Sequence, residues 1–164
     1  MPNETILILD NENHSRWILK TFLESEQYPV VAVDTVERAL RNFLEFEVSA
    51  FITEYWINQS STTEAIRELK TRFPECYVMI LTDKQLKENA YEELMAAGVD
   101  DCFLKPLSAR KILLHLQRGL KRRRGLIEGG QVVNQMDKTR TVDDVLRSET
   151  PHLGKLALNK VSAS

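Results

Sequence analysis

The chain has 164 residues, with 22 Lys and Arg set against 24 Asp and Glu, for a formal net charge of −2. That balance argues against a globally basic nucleic-acid binder and against a strongly acidic chain. The apolar share, 43%, suffices for the core of one ordinary domain plus an extension.

The amino terminus, Met1-Pro2-Asn3-Glu4, has neither the basic region nor the apolar core of an export signal. No apolar run approaches a membrane span in length. Cys76 and Cys102 are far apart and lack metal-ligand spacing. Cys102 lies inside an apolar run and reads as a buried free thiol. These features predict a reducing, cytoplasmic setting.

In chain order, Ile6-Leu7-Ile8-Leu9 reads as a first strand, followed by a helix with the stripe Trp17, Ile18, Phe22, Leu23. Val30-Val31-Ala32-Val33 is a second strand. Thr35 then caps a helix carrying Val36, Leu40, Phe43 and Leu44. Ala50-Phe51-Ile52-Thr53 is a third strand, and the helix after it carries Ile66, Leu69 and Phe73 and is halted by Pro74. Tyr77-Val78-Met79-Ile80-Leu81 is a fourth, followed by Leu86, Ala90, Leu94 and Met95 and a stop at Gly98. Cys102-Phe103-Leu104 is the fifth. Ser108 caps a last helix with Ile112, Leu113, Leu116 and Leu120. Each helical stripe reads as a core-packing face. None of the strands alternates cleanly with polar residues, as expected when both faces of a parallel sheet are covered. Strict strand–helix alternation predicts an α/β fold, a doubly wound five-stranded parallel sheet.

The pattern ends near Arg124, and Gly125 and Gly129-Gly130 mark a boundary. Residues 1–124 form the predicted domain. Residues 125–164 are expected to form a flexible tail, dispensable for folding after Gly129, with a candidate short helix over Val142 to Arg147 that Pro151 ends. Lys121-Arg122-Arg123-Arg124 is the one dense charge run. It reads as a solvated helix end complementing the helix dipole, in preference to a nucleic-acid patch.

In open parallel sheets, functional side chains gather at the carboxyl ends of strands. Here those ends are Asp10-Asn11-Glu12, Glu54-Tyr55, Thr82-Asp83 and Lys105-Pro106. With the stretches Leu69-Lys70-Thr71-Arg72-Phe73-Pro74, Val78-Met79-Ile80-Leu81-Thr82 and Ala97-Gly98-Val99-Asp100-Asp101-Cys102-Phe103-Leu104-Lys105-Pro106, this order resembles the CheY-like receiver domain of bacterial response regulators over roughly residues 4–124. The resemblance implies a flavodoxin-like receiver fold in two-component signal transduction. It implies an acidic pair holding magnesium, a phosphoacceptor aspartate, and a hydroxyl and a lysine that bind the phosphoryl oxygens.

The match departs from that pattern around one site. Asn11 replaces the second acid, which removes a charge from the metal site. Glu54 stands at the phosphoacceptor position with a carboxylate one methylene longer. Asp83 follows Thr82 and brings a carboxylate toward the pocket mouth, and Cys102 stands where relatives carry a switching aromatic. The loop Ile57-Asn58-Gln59-Ser60-Ser61-Thr62-Thr63 lacks the usual Pro and Gly. Asp10, Thr82 and Lys105 are retained. These departures predict a degenerate, phosphorylation-independent receiver that is not an enzyme and acts through protein contacts. Glu54 is then either a mimic that reaches Lys105 or Thr82, or drift in a domain kept for its surface. The competing readings are a receiver that still accepts a phosphoryl group and the regulatory part of a transcription regulator. No metal site is expected. Asp10 and Glu54 are weak candidates, giving weak magnesium binding at best. A signalling protein is the expected partner and a homodimer is left open, while membrane and nucleic acid are not expected. Tyr55 and Trp56 read as a cover for the pocket or as a partner anchor.

Overall fold

The structure, a computed structural model, describes residues 3–129. Strands β1 (Thr5–Leu9), β2 (Val30–Val33), β3 (Val48–Glu54), β6 (Tyr77–Thr82) and β7 (Asp101–Leu104) form one parallel sheet in the order β2-β1-β3-β6-β7. The connecting helices are α1 (Asn13–Ser25), α2 (Val36–Glu45), α3 (Thr63–Arg72), α4 (Glu88–Ala97) and α5 (Ala109–Gly129). A two-stranded hairpin, β4 (Trp56–Ile57) and β5 (Ser60–Ser61), lies between β3 and α3.

Strand residues alternate between two cores. Leu7, Leu9, Phe51, Val78 and Ile80 meet Leu40, Phe43, Ile66, Leu69 and Leu94 on one face. Ile6, Ile8, Ile52, Tyr77 and Met79 meet Leu23, Ile112, Leu116 and Leu120 on the other. This double cover is why the strands read as unbroken apolar runs. The predicted caps form: Thr35 accepts the Arg38 amide at 3.2 Å and Ser108 accepts the Lys111 amide at 3.3 Å. Gly98 ends α4 with φ +102°, a backbone that suits glycine.

Several expectations are corrected. Trp17 and Ile18 are exposed, at 63% and 47%; α1 meets the core through Leu19, Phe22 and Leu23 instead. Leu86 precedes α4 rather than lying on it. Cys76 is the fully buried thiol, whereas Cys102, on the edge strand β7, is only partly covered. The segment expected as a plain loop after Glu54 contains the hairpin. The last helix runs through Gly125 to Gly129, so the basic run does not lie at its end. Nor is that run merely solvated. Arg122 bonds Asp100 at 3.2 Å, Arg123 bonds Glu47 at 3.3 Å while itself buried, and Arg124 bonds both carboxylate oxygens of buried Glu4 at 2.8 Å. Helix α5 runs back along the sheet, so these arginines reach acids placed at the starts of β1, β3 and β7. The expected tail helix, Val142 to Arg147, lies outside the described residues.

Gly119 is where α5 passes over the ring of Tyr77. A Cβ there would stand 2.3 Å from that ring, which is buried and hydrogen-bonded through its hydroxyl to Asp101. Gly125, in the same helix, has nothing within 4 Å of a Cβ. Gly119→Ala is therefore expected to destabilise the fold by about 1–3 kcal/mol. Gly125→Ala should stabilise it by about 0.5–1 kcal/mol. Urea unfolding of both variants checks the pair, and equal effects would contradict the packing described.

Candidate functional site

The carboxyl ends of β1, β3, β6 and β7 bring Asp10, Glu54, Thr82 and Lys105 to one edge, as the topology requires of adjacent parallel strands. Lys105 follows β7 and its backbone amide donates to Thr82 O at 2.7 Å, which fixes the root of its side chain. The Lys105–Pro106 bond is cis. The Lys105 ammonium donates to Glu54 Oε1 and lies 3.8 Å from Asp10 Oδ2.

The carboxylates are themselves held. Asp10 Oδ1 accepts the Glu12 amide at 2.8 Å, and Asp10 O accepts Arg16 Nη1 at 2.5 Å. Glu54 is the last residue of β3 and only 9% exposed. Its carbonyl accepts the hydroxyls of Thr53 and Thr62, each at 3.0 Å. The Thr82 hydroxyl is buried and engaged locally, donating to Lys84 O at 3.1 Å. Asn11 and Asp83 lie at the surface.

Sequence reasoning had missed Thr62, which joins the hairpin to Glu54; the Thr62-Thr63 pair opening α3 was the available signal. Of the two aromatics after Glu54, Tyr55 is buried in the core and Trp56 is half exposed. A cavity of about 400 Å³ at this edge is lined by Thr82, Lys84, Leu86, Tyr91, Cys102 and Leu104, so it opens beside β6 and β7 rather than on Glu54.

Two buried carboxylates share one ammonium, and their proton affinities follow from that. Burial pushes the Glu54 carboxyl up to about 7, against the attraction of Lys105, with Asp10 and Asp83 adding repulsion. Burial likewise raises Asp10, opposed by the Glu12 amide and by Lys105. Lys105 differs: burial pushes it down, but the Glu54 contact and the charges of Glu54, Asp10 and Asp83 overcome this, so its pKa is raised and the ammonium stays charged. Pairing alone would favour the charged forms of all three partners. It does so for the lysine; for the carboxylates, desolvation wins.

A sequence profile described as the response regulator receiver domain matches residues 6–117. The chain belongs to the response regulator receiver family. Among curated relatives, the receiver is 28% identical over 121 residues to the transcriptional regulatory protein ResD of Bacillus subtilis, covering 73% of this chain and 50% of ResD. It is 30% identical over 105 residues to the two-component response regulator ORR5 of Oryza sativa subsp. japonica, covering 62% of this chain and 78% of that protein. The chain thus spans half the length of ResD. Among solved structures, it superposes on a CheY-like receiver domain protein of Methanospirillum hungatei with a TM-score of 0.70 at 21% identity, covering 74% of this chain and 97% of that one. A receiver domain protein of Clostridium thermocellum gives 0.70 at 25% identity, covering 76% and 99%. These likenesses bear out the predicted five-stranded receiver fold. Among the described residues, no helix is long and apolar enough to cross a membrane.

The receiver family implies a magnesium ion, and the donor set here does not fit one. Asp10 Oδ1 is committed to a backbone amide, while Asp10 Oδ2 and Glu54 Oε1 face the Lys105 ammonium. Asn11 offers no charge at the second position. Among the described residues, no group of three or more His, Cys, Asp or Glu side chains is placed to hold a metal.

A folded-state pKa above the ordinary 4.5 means that Glu54 contributes stability fully present below pH 4.5 and lost as pH rises through about 7. Glu54→Gln should flatten that part of the stability–pH profile, and an unchanged slope over the window would contradict the burial argument. At pH 8, Lys105→Ala should cost about 1–3 kcal/mol by leaving carboxylates without their cation. Adding Glu54→Gln should recover part of that loss, with a coupling of at least about 0.5 kcal/mol. Additive effects in urea unfolding would mean that the two residues do not interact.

Proposed function

We propose that this chain is a degenerate receiver of two-component signal transduction that works without a phosphoryl cycle, through contacts with a signalling protein. The carrying observation is the bond from the Lys105 ammonium to the Glu54 carboxylate. A phosphoryl group entering this site needs an aligned nucleophile, a metal to offset its charge and free donors for its oxygens. Here the lysine is already engaged by Glu54 and the Thr82 hydroxyl by Lys84. The carboxyl of Glu54 is buried, with its pKa pushed up to about 7, so near neutrality a share of it carries a proton and is unavailable for attack.

In this reading Glu54 does for Lys105 what an added phosphoryl group would do, and holds the ends of β3 and β7 in one fixed relation. The mimic reading is favoured over drift because the longer side chain makes that contact. A second reading takes the chain as the regulatory part of a longer transcription regulator. It draws on ResD, a transcriptional regulatory protein of which this chain spans half.

Treatment of the chain with a small-molecule phosphoryl donor and magnesium, followed by intact mass spectrometry, is expected to show no adduct. A gain of one phosphoryl group mapped to Glu54 would restore the reading of a working acceptor. Calorimetric titration should find weak magnesium binding, strengthened by Asn11→Asp. Tight wild-type binding abolished by Asp10→Asn would contradict the proposal.

A further inference from the structure

The hairpin between β3 and α3 places one large aromatic outside the fold and holds it there. Tyr55, just before β4, and Ile57 within it are buried at 7% and 0% exposure, whereas Trp56 between them is 50% exposed. Trp56 pairs with Ser61 and Ile57 with Ser60. The turn residues Asn58 and Gln59 both have positive φ, 49° and 66°, as a tight two-residue hairpin requires. Thr62 closes the base, its amide donating to Tyr55 O at 2.9 Å and its hydroxyl to Glu54 O at 3.0 Å. The rings of Tyr55 and Trp56 meet in a T-shaped contact, centroids 5.2 Å apart. An indole fixed in this way loses little freedom on binding.

The hairpin leaves the sheet directly from Glu54, and the site edge beside it is acidic. The charged groups acting on Lys105 are the carboxylates of Glu54, Asp10, Asp83 and Glu12, the last two exposed. Arg16, which acts on Asp10, donates to the neutral oxygens Asp10 O and Asn13 Oδ1 and keeps its charge, and Lys84 stands exposed beside Asp83. The carboxylates of Asp10, Glu12, Glu54 and Asp83 thus stand against Lys105, Arg16 and Lys84, a small excess of negative charge that disfavours anionic occupants. It also disfavours a second copy of the chain, since a symmetric contact would set the same acids against each other.

We propose that Trp56 anchors a docking surface for a basic segment of a protein partner, with a cationic side chain packed on the indole and further cations meeting Glu12 and Asp83. Tryptophan is the residue best suited to hold a guanidinium or ammonium on its face, and exposed tryptophans are frequent binding hot spots. The proposal rests on the reading of this domain as a protein-interaction module, and it adds the chemistry of the partner.

The chain has two tryptophans, so Trp17→Phe leaves Trp56 as the sole reporter of its own surroundings. The probe is a short synthetic peptide of alternating arginine and leucine, with a glutamate–leucine peptide as its counterpart. The expected result is a saturable change in Trp56 emission with the arginine peptide and none with the counterpart. By calorimetry, Trp56→Ala should lower affinity at least about tenfold while the chain stays folded, as a cooperative urea transition shows, and Trp56→Phe should keep most of it. Asp83→Asn should weaken binding by a smaller factor and reduce its salt dependence. No saturable change, equal binding by Trp56→Ala, or self-association that Trp56→Ala abolishes would each overturn the proposal. Any of these results leaves the outcome of phosphoryl-donor treatment standing, so failure of the docking surface and failure of the underlying reading are told apart.

Discussion

The site edge is organised by a shortage of positive charge. Asp10 and Glu54 are both buried, and both turn a carboxylate oxygen toward the single ammonium of Lys105. Neither acid has water enough to bear its charge cheaply, and one cation cannot fully serve two. The lysine therefore stays protonated and the carboxyls hold their protons more tightly than usual. The contact also ties two strand ends that are not adjacent in the sheet, since β6 lies between β3 and β7. From Glu54 the chain passes into the Trp56 hairpin, and from Lys105 it passes into α5.

The opposite edge is held by a different device. There Arg122, Arg123 and Arg124 of α5 reach Asp100, Glu47 and Glu4 at the starts of three strands. The pair between exposed Glu47 and buried Arg123 contributes little as an isolated ion pair, while the two bonds to buried Glu4 satisfy a carboxylate that would otherwise be stranded. One helix thus joins the amino edge of the sheet to the segment that carries Lys105. The cores on the two faces supply the bulk of the stability, and these polar contacts fix how α5 lies along the sheet.

Much of this was legible in the sequence because the fold is written in burial. Short apolar runs such as Ile6 to Leu9 and Tyr77 to Leu81 read as strands covered on both faces, and Thr35, Ser108 and Gly98 carry their helix-boundary chemistry locally. The convergence of Asp10, Glu54, Thr82 and Lys105 followed from the rule that strand ends gather the site. What was not legible depended on distance in space. Trp17 and Ile18 share a helical stripe with Phe22, yet the position of α1 against β2 and α5 leaves them outside. The arginine run looked like a solvated helix end because its acidic partners lie far away in sequence, at Glu4, Glu47 and Asp100. The hairpin depends on two non-glycine residues, Asn58 and Gln59, adopting left-handed backbone, which gives only a weak sequence signal. The carboxyl shifts are not legible in the sequence, because pairing is visible from residue types, whereas the depth of burial that outweighs it is not.

The central claim is that the Glu54–Lys105 contact stands where a phosphoryl group would otherwise act. Its most direct test is the amide NMR spectrum of the chain with and without beryllofluoride, a phosphoryl mimic, in the presence of magnesium. The account predicts no saturable shift at Glu54, Thr82 or Lys105 in the wild-type chain, and saturable shifts at those positions in the Asn11→Asp, Glu54→Asp double variant. Saturable shifts at the same residues of the wild-type chain would contradict it.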